Sequence, residues 1–349
     1  MTESRFLKAC RGEAVDQTPI WMMRQAGRYL PEYRELRKGR TMLEAVSTPD
    51  IAVEATLQPI RRFGFDAAIL FSDLTVPFTP MGAPFDIKEN VGPVVDHPIR
   101  TEADLQRLRL FDPEGGLPFV LETIRILKQE LTVPLIGFTG APFTLASYLI
   151  EGGPSKDHKR TRALMLVEPR FWHALMELLA ENTLRYLRAQ IEAGADAVQL
   201  FDSWIGVLDE ATYREFLLPH MRHIFDGLRP LGKPVIHFGT GTAALLHVMQ
   251  EAGGDVLGVD WRISLTDAAR LVRSTPMQGN LDPAVMLTTP EVISRKAKAI
   301  VEQGRALPGH IFNLGHGIYP DTPLQNVEAL IEAVRAPAGR AQPRISNMC

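Results

Sequence analysis

Two arginines, Arg24 and Arg28, stand four residues apart in WMMRQAGRYLPEYRELR (21–37), where an apolar run ends. The later charges of this stretch, Arg34, Glu35, Arg37 and Lys38, are scattered as on a surface helix; the pair follows directly from an apolar segment, with Gly27 leaving room. Guanidinium groups so placed suit an anionic ligand held by charge-assisted hydrogen bonds, or an internal pairing with structural carboxylates. Other polar residues also end apolar runs. They are Asp73 after AAILFS, Thr139 in PLIGFTG, Asp202 and Ser203 after AVQLF, His237 in PVIHFG, Asp260 in VLGVD, Asn280 and Asp282 after MQG, and His316 in NLGHGIYP. Asp73 is followed by a second apolar run, LTVPF, so its ionised form needs cationic or N–H partners. His316 lies between glycines, which presents the imidazole rather than packing it. Plainer readings stand beside these. Asp202, Asp260 and Asp282 could cap the helices that follow, His237 suits a core or supporting histidine, and Tyr148 in GAPFTLASYLIEGG suits a packed aromatic.

The elements that must position these groups alternate. Eight short β-prone runs (PIWMM, AAILFSD, PLIGFTG, AVQLFDS, PVIHFG, VLGVD, MQGN and HIFNLG) read as strands buried on both faces. Between them lie helical patterns. Thr48 as N-cap with Pro49 at the first helical position opens a helix to about Arg62; Val167 to Ala193 is helical, broken by Pro169 and closed by Gly194; Ala243 to Ala252 ends at Gly253-Gly254. Ser264 with Asp267 resembles a capping box, and Thr322-Pro323 starts a last helix. Residues 78–118, rich in Pro and Gly, read as an excursion after the second strand. This predicts an α/β fold, a single-domain (β/α)8 TIM barrel over residues 1–335 with a deep cleft at the C-terminal ends of its strands, followed by a flexible tail, 336–349. A doubly wound open sheet is the alternative, but no glycine-rich dinucleotide fingerprint follows the first strand.

Composition narrows the chemistry. The 349 residues are 45% hydrophobic and 23% charged, with a net charge of -3, which gives no general attraction to nucleic acid or an anionic membrane. An anionic substrate then needs a local positive site. The cysteines are Cys10 and Cys349, too few for a disulfide framework or a thiolate zinc site. The N-terminal stretch has no apolar h-region and no run of about 18 apolar residues appears, so a cytoplasmic location is expected. GxGxxG, P-loop, HExxH and GxSxG patterns are missing, and no lysine ends a predicted strand, since Lys233 opens one. Metal binding through His237, His316 and carboxylates remains open, their spacing being undiagnostic.

Four motifs, WMMRQAGRYLPEYR, GFTGAPFTLASYLIEGG, FDSW and NLGHGIYPDTP, closely resemble the uroporphyrinogen decarboxylase family of tetrapyrrole biosynthesis, over residues 17–323. The resemblance implies a homodimeric barrel working without metal or organic cofactor. Its expected reaction removes carbon dioxide from the four acetate side chains of uroporphyrinogen III, leaving methyl groups and giving coproporphyrinogen III. It places substrate on Arg24, Gln25, Ala26, Gly27, Arg28, Asp73, Tyr148, Ser203 and His316, with Asp73 and Arg24 as the catalytic candidates. Ile205 departs from the pattern, where a smaller residue is expected. A zinc-dependent methyltransferase on the same barrel is the rival reading; it would use a histidine and cysteine thiolates at strand ends, and PVIHFGTG offers His237 with no cysteine nearby.

The implied chemistry needs an electron sink for the pair left on each methylene carbon. A pyrrole supplies its own when a ring carbon is protonated, which makes an iminium-like ring. Asp73 would stabilise that cation. Arg24 and Arg28 would bind acetate and propionate carboxylates, and Tyr148, Ser203 and His316 would orient them.

Overall fold

A computed structural model describes residues 4–337 apart from 90 and 273. Most of the expected tail, 338–349 with Cys349, lies outside the described residues. The strands are β1 (Ala68–Ile69), β2 (Phe85–Lys88), β3 (Gly92–Val95), β4 (Leu135–Gly140), β5 (Ala197–Asp202), β6 (Val235–Gly239), β7 (Val256–Gly258), β8 (Met277–Gln278) and β9 (His310–Ile311). Seven of them form one parallel sheet in the order β1-β4-β5-β6-β7-β8-β9, while β2 and β3 pair antiparallel in a separate hairpin. Spatial order follows chain order, as short βα units dictate.

The sheet is curled. Gln278 on β8 donates to Gln199 on β5 at 3.0 Å, although β6 and β7 lie between them. In a flat sheet three strand spacings amount to about 14 Å. Trp21 extends the same buried chain, its Nε1 donating to Gln278 Oε1 at 2.9 Å.

The expected first strand, PIWMM, is not a continuous ladder. Ile20 makes an isolated parallel bridge to Phe312, with the Phe312 N–H donating to Pro19 O (2.8 Å) and the Trp21 N–H to Phe312 O (3.3 Å). On its other side the Asp66 N–H donates to Ile20 O at 2.9 Å. Side chains interrupt the ladder. The Ile20 N–H goes to the Asp66 carboxylate (2.9 Å), the Met22 N–H to Gln25 Oε1 (3.1 Å) and the Met23 N–H to Asn313 Oδ1 (3.0 Å). Each backbone donor is satisfied, but not by a neighbouring strand.

Helices pack outside the sheet. Pro49–Phe63 starts with proline at its first turn and ends on left-handed Gly64 (φ 61°). Thr48 does not cap it; its hydroxyl donates back to Glu44 O at 2.7 Å. Pro169 divides the predicted long pattern into Lys159–Val167 and Pro169–Ala193, the latter closed by Gly194. Gln190 of that helix fastens it to β4, accepting from Phe138 N (2.8 Å) and donating to Phe138 O (3.0 Å). Gly137 is the neighbour that allows this, since a Cβ there would sit 2.4 Å from Gln190 Oε1. Ser264 caps Leu265–Leu271 by accepting the Asp267 N–H, and the last helix, Leu324–Arg335, follows Pro323. The excursion at 78–118 contains the β2–β3 hairpin and short helices such as Glu102–Leu105.

Candidate active site

Beyond Met23 the backbone turns sharply at Arg24, a non-glycine residue held at φ 63°. That conformation costs about 1–2 kcal/mol, and the surroundings hold it in place. Gln25 is fully buried, donating to Ala67 O (3.2 Å) and accepting from Met22 N, while its own carbonyl receives the Tyr29 hydroxyl (2.8 Å). Its side chain is thus a brace for the turn. The turn leaves Arg24 and Arg28 exposed, with Ala26 and Gly27 half-buried between them. The N–H groups of Ala26 and Gly27 donate to no backbone carbonyl among the described residues.

Arg24 lies against the NLGHG loop. A Cβ on Gly317 would fall 2.4 Å from its Cδ, and one on Gly315 would fall 2.5 Å from Trp261 N. Both glycines flanking His316 are therefore demanded by close approach. Among the described residues, no carboxylate forms an ion pair with Arg24. Its charge is felt by two of the other candidates. Burial, then Arg24 and Arg262, lowers the His316 pKa to about 4, so the half-buried imidazole is neutral at pH 7. Burial, then the Asp73 carboxylate, raises the Tyr148 phenol to about 12, with Arg24 opposing. Tyr148 is therefore a hydrogen-bond donor at any physiological pH.

Asp73 follows β1 and is half-buried. Its Oδ1 accepts from the Thr75 N–H (2.9 Å) and hydroxyl (2.5 Å), a local turn that fixes the carboxylate. Its Oδ2 accepts nothing, and no cationic side chain pairs with Asp73, among the described residues. Ser203 follows β5 and is almost buried; Thr240 Oγ1 donates to its carbonyl, and its own hydroxyl has no partner among the described residues. Tyr148, on helix Pro142–Glu151, meets Trp204 edge-on at 6.2 Å between ring centroids. Arg24, Asp73, Tyr148 and His316 are thus electrostatically coupled, and Ser203 joins them through its neighbour Trp204.

The remaining strand-end residues do other work. Asp260 is buried and accepts from Gly241 N (2.6 Å), Arg262 N (3.0 Å) and the Arg262 guanidinium, which also lies over the Trp261 ring at 4.0 Å. It is a loop anchor, not a helix cap. Asn280 binds Asp260 O (2.9 Å) and Ile263 O (2.6 Å). Asp282 does cap, accepting from Ala284 N at 2.9 Å. Asp202 does not; it is wholly buried beside Thr144 and His237. Thr139 is also buried, and its hydroxyl has no partner among the described residues. Among the described residues no cluster of three or more His, Cys, Asp or Glu is arranged to hold a metal.

One feature of the mouth went unread in the sequence. Phe138, Phe201 and Phe238 of β4, β5 and β6 form an edge-to-face series, with centroids 5.4 and 5.7 Å apart. Phe201 is only half-buried although its strand is central, so this apolar surface is open on the concave side. The signal was present, because IGFTG, QLFDS and IHFGT each place a phenylalanine near a strand end. A separate cavity of about 640 Å³ lies on the flank, lined by Leu43, Val76, Phe85, Arg109, Phe111 and Phe119, and contains none of the candidate residues.

The profile described as Uroporphyrinogen decarboxylase (URO-D) matches residues 1–337. The chain belongs to the uroporphyrinogen decarboxylase family. It is 54% identical over 330 residues to a uroporphyrinogen decarboxylase of Thermus thermophilus, covering 95% of this chain and 97% of that protein. It is 53% identical over 335 residues to that of Sorangium cellulosum, covering 95% and 96% of the two chains. Among solved structures it resembles a methyltransferase from Methanosarcina mazei with TM-score 0.76 and 24% identity, over 95% of this chain and 97% of that one. That last likeness establishes a shared fold only. Membership makes the protein a carboxy-lyase and places it in tetrapyrrole biosynthesis, and the methyltransferase reading is not favoured.

Proposed function

We propose that the chain decarboxylates the four acetate side chains of uroporphyrinogen III to methyl groups, giving coproporphyrinogen III, with the substrate's own pyrroles as electron sinks. The observation that carries this reading is Asp73. Among the described residues this carboxylate, fixed through Oδ1, has Oδ2 unengaged and no cationic side chain paired to it, and it faces the charge neighbourhood of Tyr148 and Arg24. Oδ2 accepts pyrrole N–H bonds and favours the ring once a ring carbon has been protonated. Carbon dioxide then leaves, the electron pair of the broken C–C bond neutralises the iminium-like ring, and the exocyclic carbon takes a proton to become methyl. The ring-carbon proton is lost as the pyrrole is restored.

Arg24 and Arg28 hold acetate and propionate carboxylates, helped by the N–H groups of Ala26 and Gly27, which donate to no backbone carbonyl among the described residues. Tyr148 donates a hydrogen bond because its phenol stays protonated, and His316 serves as a neutral imidazole. Ser203 offers a hydroxyl. The aromatic series Phe138, Phe201 and Phe238 gives the macrocycle an apolar face to lie on. No residue here is a strong acid poised for the ring carbon, and a guanidinium is too weak an acid for that part. We assign the proton to water or a substrate carboxyl.

The fold underlying this reading is one closed eight-stranded barrel over residues 1–335. The segment around Ile20 would act as the eighth strand, supported by its hydrogen bonds to Phe312 on one side and Asp66 on the other. A cytoplasmic homodimer completes the proposal; no helix among the described residues is long and apolar enough to cross a membrane. The test is anaerobic incubation of the purified protein with uroporphyrinogen III and a chelator, with the products identified by chromatography after oxidation. Coproporphyrin and four equivalents of carbon dioxide are expected. Unchanged uroporphyrin, or activity that returns only with added zinc, overturns the proposal.

A further inference from the structure

We infer that Asp202 and His237 form a buried positioning pair that fixes the Ser203–Trp204 segment for substrate, an inference resting on the assignment of Ser203 and Tyr148 to that substrate. The pair lies behind the sheet, not in the mouth. In register, Phe238 stands opposite Phe201, and these rings meet on the concave face at 5.7 Å. Side chains alternate along a strand, so Asp202 and His237 project from the opposite face. The His237 ring accordingly rests on Phe225 of helix Leu218–Leu228, at 5.1 Å.

Both residues have zero exposure. His237 Nε2 lies 3.8 Å from Asp202 Oδ2, and neither atom, nor His237 Nδ1, has a hydrogen-bond partner among the described residues. The hydroxyl of Tyr213, equally buried, is likewise unpartnered, and the Asp202 charge adds to the burial that raises its phenol. An isolated charge in such surroundings is prohibitively unfavourable, and burial raises the Asp202 carboxyl above the usual carboxylate range. Its other connection leads to the site. Thr144 Oγ1 donates to Asp202 Oδ1 (3.3 Å) and accepts the Trp204 N–H (3.4 Å). Trp204 in turn meets Tyr148, and Ser203 lies between Asp202 and Trp204 in the chain. A polar link therefore runs from His237 through Asp202 and Thr144 to the backbone that presents Ser203 and supports Tyr148. Apolar residues would fill this layer at less cost, and their absence calls for a role beyond packing.

The test uses Thr144→Val, His237→Phe and His237→Gln in the full chain labelled with 5-fluorotryptophan, the Trp204 resonance being assigned with Trp204→Phe. Thr144→Val and His237→Phe are expected to shift the Trp204 fluorine resonance. They should also raise KM for uroporphyrinogen III about tenfold, with kcat changing less than threefold. His237→Gln, whose amide N–H can approach Asp202, should recover most of both. If His237→Phe prevents folding, Thr144→Val against His237→Gln carries the comparison. An unmoved resonance and KM in Thr144→Val overturn the inference, as does His237→Gln behaving no better than His237→Phe. Ser203→Ala and Tyr148→Phe separate the two levels. If these leave KM unchanged, the substrate assignment fails and takes the inference with it; if they raise KM while the Thr144 and His237 variants do not, only the pair's role fails.

Discussion

Replacing Asp73 by asparagine isolates the charge on which the proposed chemistry depends. The turn should survive, because the amide oxygen can still accept the two Thr75 bonds now made by Oδ1. No ion pair is broken, since no cationic side chain pairs with Asp73 among the described residues. What changes is the atom in the place of Oδ2. An N–H then faces the pyrrole N–H groups, so an acceptor becomes a like-signed donor. A unit charge about 4 Å from a cationic ring, at an effective dielectric constant of about 20, contributes about 4 kcal/mol. Discounted to about 3 kcal/mol because Asp73 is only half-buried, the loss is still more than a hundredfold in rate. The assay is the initial rate of conversion of anaerobic uroporphyrinogen III, with partially decarboxylated products separated by chromatography. A melting temperature within a few degrees of the parent chain controls for folding. A folded Asp73→Asn protein within about fivefold of the parent kcat would refute the argument from charge.

Gly317→Ala should act on Arg24 rather than on the fold. The new Cβ meets Arg24 Cδ, the outer part of a flexible side chain, at 2.4 Å, so kcat/KM should fall at least tenfold with little change in melting temperature. A large loss of stability with normal kcat/KM would contradict this. Arg28→Ala should weaken coproporphyrinogen binding by about 1.5–3 kcal/mol, measured by anaerobic titration, and unchanged affinity would remove Arg28 from the clamp. His316→Ala should be milder than Asp73→Asn, since a neutral imidazole orients and does not carry charge; equal losses would argue otherwise. His310, buried and held near pKa 4, gives a pH dependence of stability. Its folded pKa lies below the unfolded 6.5, so the unfolded state binds more protons, and stability falls as pH drops from 6.5 toward 4. At pH 5 the deficit from this residue is about 2 kcal/mol. Denaturant unfolding of His310→Gln at pH 7 and 5 should show that much less pH dependence than the parent.

Much of this architecture was legible because burial on both faces leaves a strong mark. Runs such as AVQLFD and VIHFG coincide with β5 and β6, and Pro49 and Pro169 stand at the first turns of their helices. The first strand was harder. PIWMM has the composition of a strand, yet three of its N–H groups are taken by the side chains of Asp66, Gln25 and Asn313, residues up to 290 positions away. Strand propensity is a property of the segment, whereas this competition for its donors arises only after folding. Thr48 failed as a cap for a similar reason, its hydroxyl being already committed to Glu44.

At the site the same distinction separates residues that bear a signal from residues that bear a role. Arg24 and Asp73 stood out because each interrupts or ends an apolar run, and His316 because it lies between two glycines. Gln25 sits in the same motif and was named only because the family resemblance covers the whole segment from Arg24 to Arg28; its side chain braces the turn. Asp202, Asp260 and Asp282 look alike along the chain, each a carboxylate at a strand end. Folding sends them to three environments: a sealed pair with His237, an anchor for the Arg262 loop, and a cap on Ala284. What divides them is which face of the strand they occupy and what the next loop brings near. Asp73 belongs to a fourth class, a fixed carboxylate whose Oδ2 accepts nothing among the described residues, and that acceptor is the one on which the proposed chemistry depends.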